Sequence, residues 1–238
     1  MGERTGIGWT DKTWNPWHGC HHVSWGCDNC YMFAQKRQYG QDPENVVRAS
    51  AATFNAPLKW EGPARVFTCS WSDWFIAEAD GWRDDAWSII YMTQRFLTYQ
   101  ILTKRPARIR AHTPWVTSGG RPWPNVWLGV SIESPKYLYR AEVLREIQAA
   151  VRFLSLEPLL EDLDSLDLDG IGWVIVGGES GPKRRPFEIA WLERIANLCA
   201  QADVPLFVKQ DGAMKPGQQG RIPDALWIHE FPASEPVR

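Results

Sequence analysis

Short apolar, β-rich runs recur along the chain, and each closes on a polar cluster: RVFTCS, TYQILTK, NVWLGVS, VRFLSLE, GWVIVGG and PLFVKQ. Val66, Ile101, Val126, Val151, Val174 and Val208 mark these runs at intervals of about 22 to 35 residues, the length of a strand plus a crossover helix. Helical patterns lie between or before them: CYMFAQKRQYG, DDAWSIIYMTQRF, KYLYRAEVLREIQAA and EIAWLERIANLCAQAD. Strands alternating with helices predict a parallel sheet. Runs that are nearly continuous in apolar residues predict strands covered on both faces. About six such strands, with an earlier one around IGWT or TWNP, predict an α/β fold, a parallel and partial (β/α) barrel. The rival is an open doubly wound sheet. One domain over residues 1–238 is expected, with the tail IPDALWIHEFPASEPVR irregular and packed along the outside.

The strand ends carry polar residues that turn chemistry alone does not explain. They are Ser70, Ser72 and Asp73, then Lys104, then Ser131 and Glu133, then Glu157, then Gly177, Gly178 and Glu179, then Lys209. In parallel α/β folds these ends share one face, where ligands bind. Ser, Gly and Pro are ordinary in βα turns, but charged groups at the rim of a buried sheet need partners. A polar ligand is therefore expected there. Acidic side chains suit hydroxyls and ammonium groups, a Lys gives a carboxylate its counter-charge, and the Gly177–Gly178 pair lets a ligand approach the backbone closely.

Composition adds limits. A net charge of −2 leaves no global basic field for nucleic acid, although KRPARIR (104–110) and GPKRRP (181–186) place basic clusters after strand ends. No run approaches a membrane span, and MGERTGIGWTDKTW has no apolar signal segment, so a cytoplasmic protein with no membrane partner is expected. The fifteen tryptophans read as core and loop packing ahead of platforms for stacking bases.

Three of the five cysteines fall in GCHHVSWGCDNCY, as C-x6-C-x2-C: Cys20, Cys27 and Cys30. That clustering is unlike a secreted disulfide framework and reads as a metal site. Two sets are open. A structural zinc would take the three thiolates and His18, His21 or His22, in a binding protein without catalysis. An iron–sulfur cubane would take three thiolates and leave one iron for a ligand. Cys199, in IANLCAQA, reads as a buried small apolar residue.

A three-cysteine loop ahead of strand–helix units resembles the radical S-adenosylmethionine superfamily. GIGWTDKTWNPWHGC, GCDNCY, QILTKRP, NVWLGVSIES, RFLSLEPLL and WVIVGGESG resemble a phage-associated branch of it, over roughly residues 6 to 212. The resemblance implies a [4Fe–4S] cluster on Cys20, Cys27 and Cys30, S-adenosylmethionine as cofactor, an external donor such as flavodoxin or ferredoxin, and reductive cleavage to a 5′-deoxyadenosyl radical. The superfamily's aromatic beside the last cysteine is represented by Tyr31. A narrower likeness to spore photoproduct lyase implies that Lys104 meets the methionyl carboxylate and that Ser72 and Ser131 contact the cofactor, with Asp73 beside them. It aligns that family's hydrogen-donor cysteine at Ser70, next to Cys69, which makes Cys69 a candidate catalytic thiol. It also implies nucleic acid as a candidate substrate, for repair or modification. Alternation along the strand favours Cys69 facing outward, under a helix, with Ser70 and Ser72 on the ligand side.

Overall fold

A computed structural model describes residues 5–233. In chain order its strands are β1 (Lys12–Trp14), β2 (Trp17–His18), β3 (Val47–Arg48), β4 (Ala64–Thr68), β5 (Leu97–Thr103), β6 (Val126–Ser131), β7 (Val151–Leu156), β8 (Trp173–Gly177) and β9 (Leu206–Gln210). The α-helices are α1 (Tyr31–Gln38), α2 (Ala51–Phe54), α3 (Asp80–Met92), α4 (Pro114–Thr117), α5 (Tyr139–Arg145) and α6 (Ile189–Ala202). Seven strands form one parallel sheet in the order β1-β4-β5-β6-β7-β8-β9, and it curls into a half-barrel. The number is seven because TWNP does supply a strand, pairing Lys12–Trp14 with Val66–Thr68. β2 and β3 make a separate antiparallel ribbon.

A sheet that grows in sequence order with right-handed crossovers places its helices on one side. The burial pattern agrees. Val66, Tyr99, Ile101, Leu128, Val130, Leu154, Val174 and Val208 pack with Ala86, Ile90, Leu144, Leu192 and Ile195 of the helices. The alternate positions Phe67, Trp127, Phe153, Trp173, Ile175 and Phe207 pack with Trp9 on the helix-free, concave face. Those rings leave little space. A Cβ on Gly129 would lie 2.4 Å from the Phe153 ring, so only glycine fits opposite it. The concave face is thus plugged by aromatics, and the polar rim stands above the plug.

The tail does not run along the outside. Phe231 packs on Trp173 and Phe207 in the concave layer, with the Arg65 guanidinium 3.9 Å over its ring. Glu230 accepts a bond from Trp173 Nε1, and Phe207 bridges His229. An edge strand offers unpaired backbone groups, and the tail takes up those of β9. Residues 234–238 lie outside the described part.

Tryptophans mostly serve the core. Trp17, Trp74, Trp87 and Trp115 form a run of ring contacts at 5.0, 5.0 and 5.8 Å behind β1, β4 and α3. Trp25, in the cysteine loop, is 49% exposed and is the exception that bears on the site. No helix among the described residues is long and apolar enough to cross a membrane.

Candidate functional site

Because all seven strands are parallel, their C-terminal ends form one rim. The chain from Gly19 to Cys30 crosses that rim, and the strand-end residues hold it down. Gly19 sits at φ +98°, where a Cβ would fall 2.3 Å from the Asn45 carbonyl oxygen. Its N–H donates to Trp71 O and its carbonyl accepts from Ser72 Oγ at 2.6 Å. Ser24 Oγ donates to Glu133 Oε1 at 2.6 Å. Gly26 lies flat against the same carboxylate, where a Cβ would be 2.5 Å from Glu133 Cγ. Asn29 Nδ2 donates to Glu179 Oε2 at 3.0 Å and to Lys183 O at 2.9 Å. Arg185 bridges Glu179, Asp28 and the Trp25 carbonyl. Tyr31 Oη donates to Ser70 O.

Glu133 is the centre of this arrangement. It is fully buried and takes Lys104 Nζ at 2.6 Å and Arg140 Nη1 at 3.1 Å. Burial pushes its carboxyl up, but the two cations and the Ser24 hydroxyl outweigh that and hold it below the usual range. Glu179 behaves alike: burial raises it, and the Arg185 and Asn29 bonds bring it below its ordinary value. Asp73 is buried and saturated. It accepts from Thr103 Oγ1 at 2.6 Å, Lys104 N at 2.9 Å, Phe75 N at 2.9 Å and Arg105 Nη1 at 3.0 Å.

The strand-end residues singled out in the sequence have the following protein partners. Glu133 and Glu179 bind the cysteine loop with their carboxylates. Lys104 is paired to Glu133. Asp73 orders the β4 and β5 ends, and Ser70 exchanges bonds with Asn15. Ser131 is buried, and its carbonyl accepts from Arg140 Nη1. Gly178 packs against Gly212, where a Cβ would be 2.6 Å from its nitrogen. One rim pair not tied to the loop is Glu157–Lys209, at 2.7 Å, with Gly177 behind the carboxylate and Ser155 Oγ 3.3 Å away.

Cys69 lies in the layer under the helices and is 4% exposed. This is the outward, helix-side place expected from the sequence, reached by a turn and not by strand alternation: β4 ends at Thr68 and Cys69 turns to φ 56°, a left-handed conformation. Counting from Phe67 on the concave side would point Cys69 inward; the turn sends it to the helix side. Its thiol is raised well above the ordinary value, by burial first and by Asp73 next. Cys199 is also in that layer.

Cys20, Cys27 and Cys30 are free and half-buried. Cys27 ends a 3₁₀ turn, Trp25–Cys27, and Cys30 caps the N-terminus of α1. Burial pushes the Cys20 thiol up to about 12, Asp73 adds to this, and Arg105 opposes it. Burial also raises Cys30, and Cys27 lies within electrostatic reach of both. Among the described residues, no three His, Cys, Asp or Glu side chains stand close enough together to hold a metal ion.

The histidines considered as zinc ligands have other partners or places. His21 Nε2 meets Glu78 at 2.5 Å and His22 Nε2 meets Asp28 at 2.6 Å. His18 lies on the β2–β3 ribbon, with Nδ1 buried and unpartnered and its pKa lowered by burial and then by Lys36. The donor set that remains is three thiols, which suits a soft, thiophilic group.

Several arginines of the basic clusters pair with groups of the protein itself, some of them at the surface. Arg105 binds Asp73, Arg108 binds Asp80, Arg110 binds Glu146, Arg185 binds Glu179, and Arg184 donates to Gly212 O. Sequence reasoning gave no anchoring role to Asn15, Ser24, Asn29 and Arg140, and read Arg105 and Arg185 only as members of basic clusters. Two signals were in plain view: Asn29 stands inside CDNC, and Arg105 follows Lys104. A groove of about 850 Å³ is at the other end of the sheet, lined by Val151, Gly172, Leu206 and Phe231, away from the thiols.

Among known proteins, the family model described as Protein of unknown function (DUF5131) matches residues 4–230. No curated protein and no solved structure matches. No radical S-adenosylmethionine family model matches the chain, so the resemblance to that superfamily, to its phage-associated branch and to spore photoproduct lyase is corrected. The spacing shows the difference. Six residues separate Cys20 from Cys27, where that superfamily has three, and the longer segment includes Ser24 and Gly26, which seat on Glu133.

Proposed function

We propose that this chain, which belongs to the DUF5131 family, is an iron–sulfur enzyme that cleaves S-adenosylmethionine reductively. The observation that carries the reading is the loop itself. Four strand-end anchors (Ser72, Glu133, Glu179 and Ser70) hold three free cysteines over the polar rim of a half-barrel. The other two cysteines are in the core. Cys20, Cys27 and Cys30 would hold the cluster, and three protein thiolates on a four-iron cubane leave one iron for the ligand.

When bound, the cluster supplies one-electron reducing power, and S-adenosylmethionine supplies the carbon–sulfur bond that the electron breaks. The electron comes from an external donor of the ferredoxin or flavodoxin type. The chain's own residues orient and enclose. The aromatic plug closes the concave face below the rim and keeps water from entering from beneath. Glu157 and Lys209, rim charges not committed to the loop, face the polar groups of the ligand. Metal binding at the half-buried thiols would release their protons.

The test is direct. Reconstituted anaerobically and given dithionite and S-adenosylmethionine, the chain should form methionine and 5′-deoxyadenosine. Cys20→Ala, Cys27→Ala and Cys30→Ala should each abolish this. A wild-type chain that forms neither product, or forms both without its thiols, overturns the reading.

A further inference from the structure

Arg105 is the charged side chain that meets one of the three thiols. Its Nη1 lies 3.7 Å from Cys20 Sγ, in hydrogen-bond range for sulfur. The guanidinium has little freedom to leave. Nη1 also pairs with Asp73 Oδ2 at 3.0 Å, Nη2 donates to His21 O at 3.1 Å, and the side chain is 15% exposed. The main chain is fixed too, since Arg105 N donates to Thr103 Oγ1, whose hydroxyl binds Asp73. Asp73 in turn is held by Phe75 N and Lys104 N. A cation is thus clamped at one sulfur, with Nη1 shared between Cys20 Sγ and the Asp73 carboxylate.

We infer that Arg105 is a positioning residue that sets the reduction potential of the group held by Cys20, Cys27 and Cys30. The inference rests on the cluster reading above. A positive donor at a ligating sulfur stabilises the more negative, reduced form, so it raises the potential. Lys104, adjacent in sequence, is paired to Glu133 instead.

The experiment is an anaerobic redox titration of the reconstituted chain, followed by its visible spectrum, with iron and sulfide measured on the same samples. One electron from the titrant enters per cluster and no bond breaks. Arg105→Gln should keep its iron and sulfide. At fixed solution potential its reduced-to-oxidised ratio should fall tenfold or more, equivalent to a midpoint more negative by about 59 mV. Arg105→Lys, which keeps the charge beside Asp73 without the fork, should fall between the two. Unchanged midpoints at full iron content overturn this inference and leave the cluster reading standing. Loss of iron in both variants overturns it as well, because Arg105 would then build the site. A wild-type chain that takes up no iron overturns both.

Discussion

Replacing Glu133 with alanine should be among the most destabilising single changes at the rim. The carboxylate is fully buried and holds Lys104 Nζ, Arg140 Nη1 and Ser24 Oγ at 2.6, 3.1 and 2.6 Å. Arg140 is itself fully buried, and its Nε and Nη2 already have no partner. Its guanidinium stacks 4.2 Å from the Tyr137 ring, which cannot neutralise it. Without Glu133, two cations face each other in a poorly solvated place. Breaking a buried pair by removing one partner costs about 3–5 kcal/mol. With a urea m-value of about 3 kcal/mol/M, at the upper end for small proteins, the midpoint falls by about 1–1.7 M.

The internal control is Glu157→Ala. Its pair with Lys209 is partly solvated, with side chains 12% and 25% exposed, so its loss should cost about 1 kcal/mol. Urea unfolding followed by tryptophan fluorescence reads both variants, since rings lie in both core layers. A Glu133→Ala midpoint no lower than that of Glu157→Ala would refute the assignment of Glu133 as the central anchor.

Other outcomes follow from the same contacts. Gly129→Ala should cost about 1–3 kcal/mol by overpacking, and adding Phe153→Leu should recover part of it, read by thermal unfolding. Cys69→Ala should lose about 1 kcal/mol and keep its iron, as a change in the apolar layer and not at the thiol set, read by stability and metal content together. Asp211, Glu179 and Asp80 are all held below the usual carboxylate range by arginine partners acting against burial. The unfolded chain therefore binds more protons, and their contribution is present above the unfolded pKa values near ~4 and is lost as pH falls through the lower folded values. Stability measured from pH 6 to pH 3 should decline over that window, and Asp211→Asn should flatten the decline.

The strands were legible because short, nearly continuous apolar runs rich in β-branched residues report burial on both faces directly, and each run from RVFTCS to PLFVKQ became a strand of the sheet. The tail was misjudged because HEF carries no periodic signal, while its place depends on the open edge of β9 and the gap between Trp173 and Phe207. The rim charges were visible as residues, but their roles were not. Glu133 and Glu179 meet partners 109 and 150 residues away in sequence, Ser24 and Asn29, and no local pattern encodes such pairings. Cys69 was placed correctly under the helices but for a different reason: strand alternation holds only while the strand continues, and a left-handed turn begins there. The thiol cluster was legible as spacing, whereas the arginine that touches it is set by Asp73 and the crossing of two strand ends.

The central claim is that Cys20, Cys27 and Cys30 hold an iron–sulfur cluster. Metal and sulfide content after anaerobic purification and reconstitution tests it most directly. The expected result is a brown protein with about four irons and four sulfides per chain, absent in Cys20→Ala, Cys27→Ala and Cys30→Ala and retained in Cys199→Ala. A colourless chain carrying one zinc and no sulfide would contradict it.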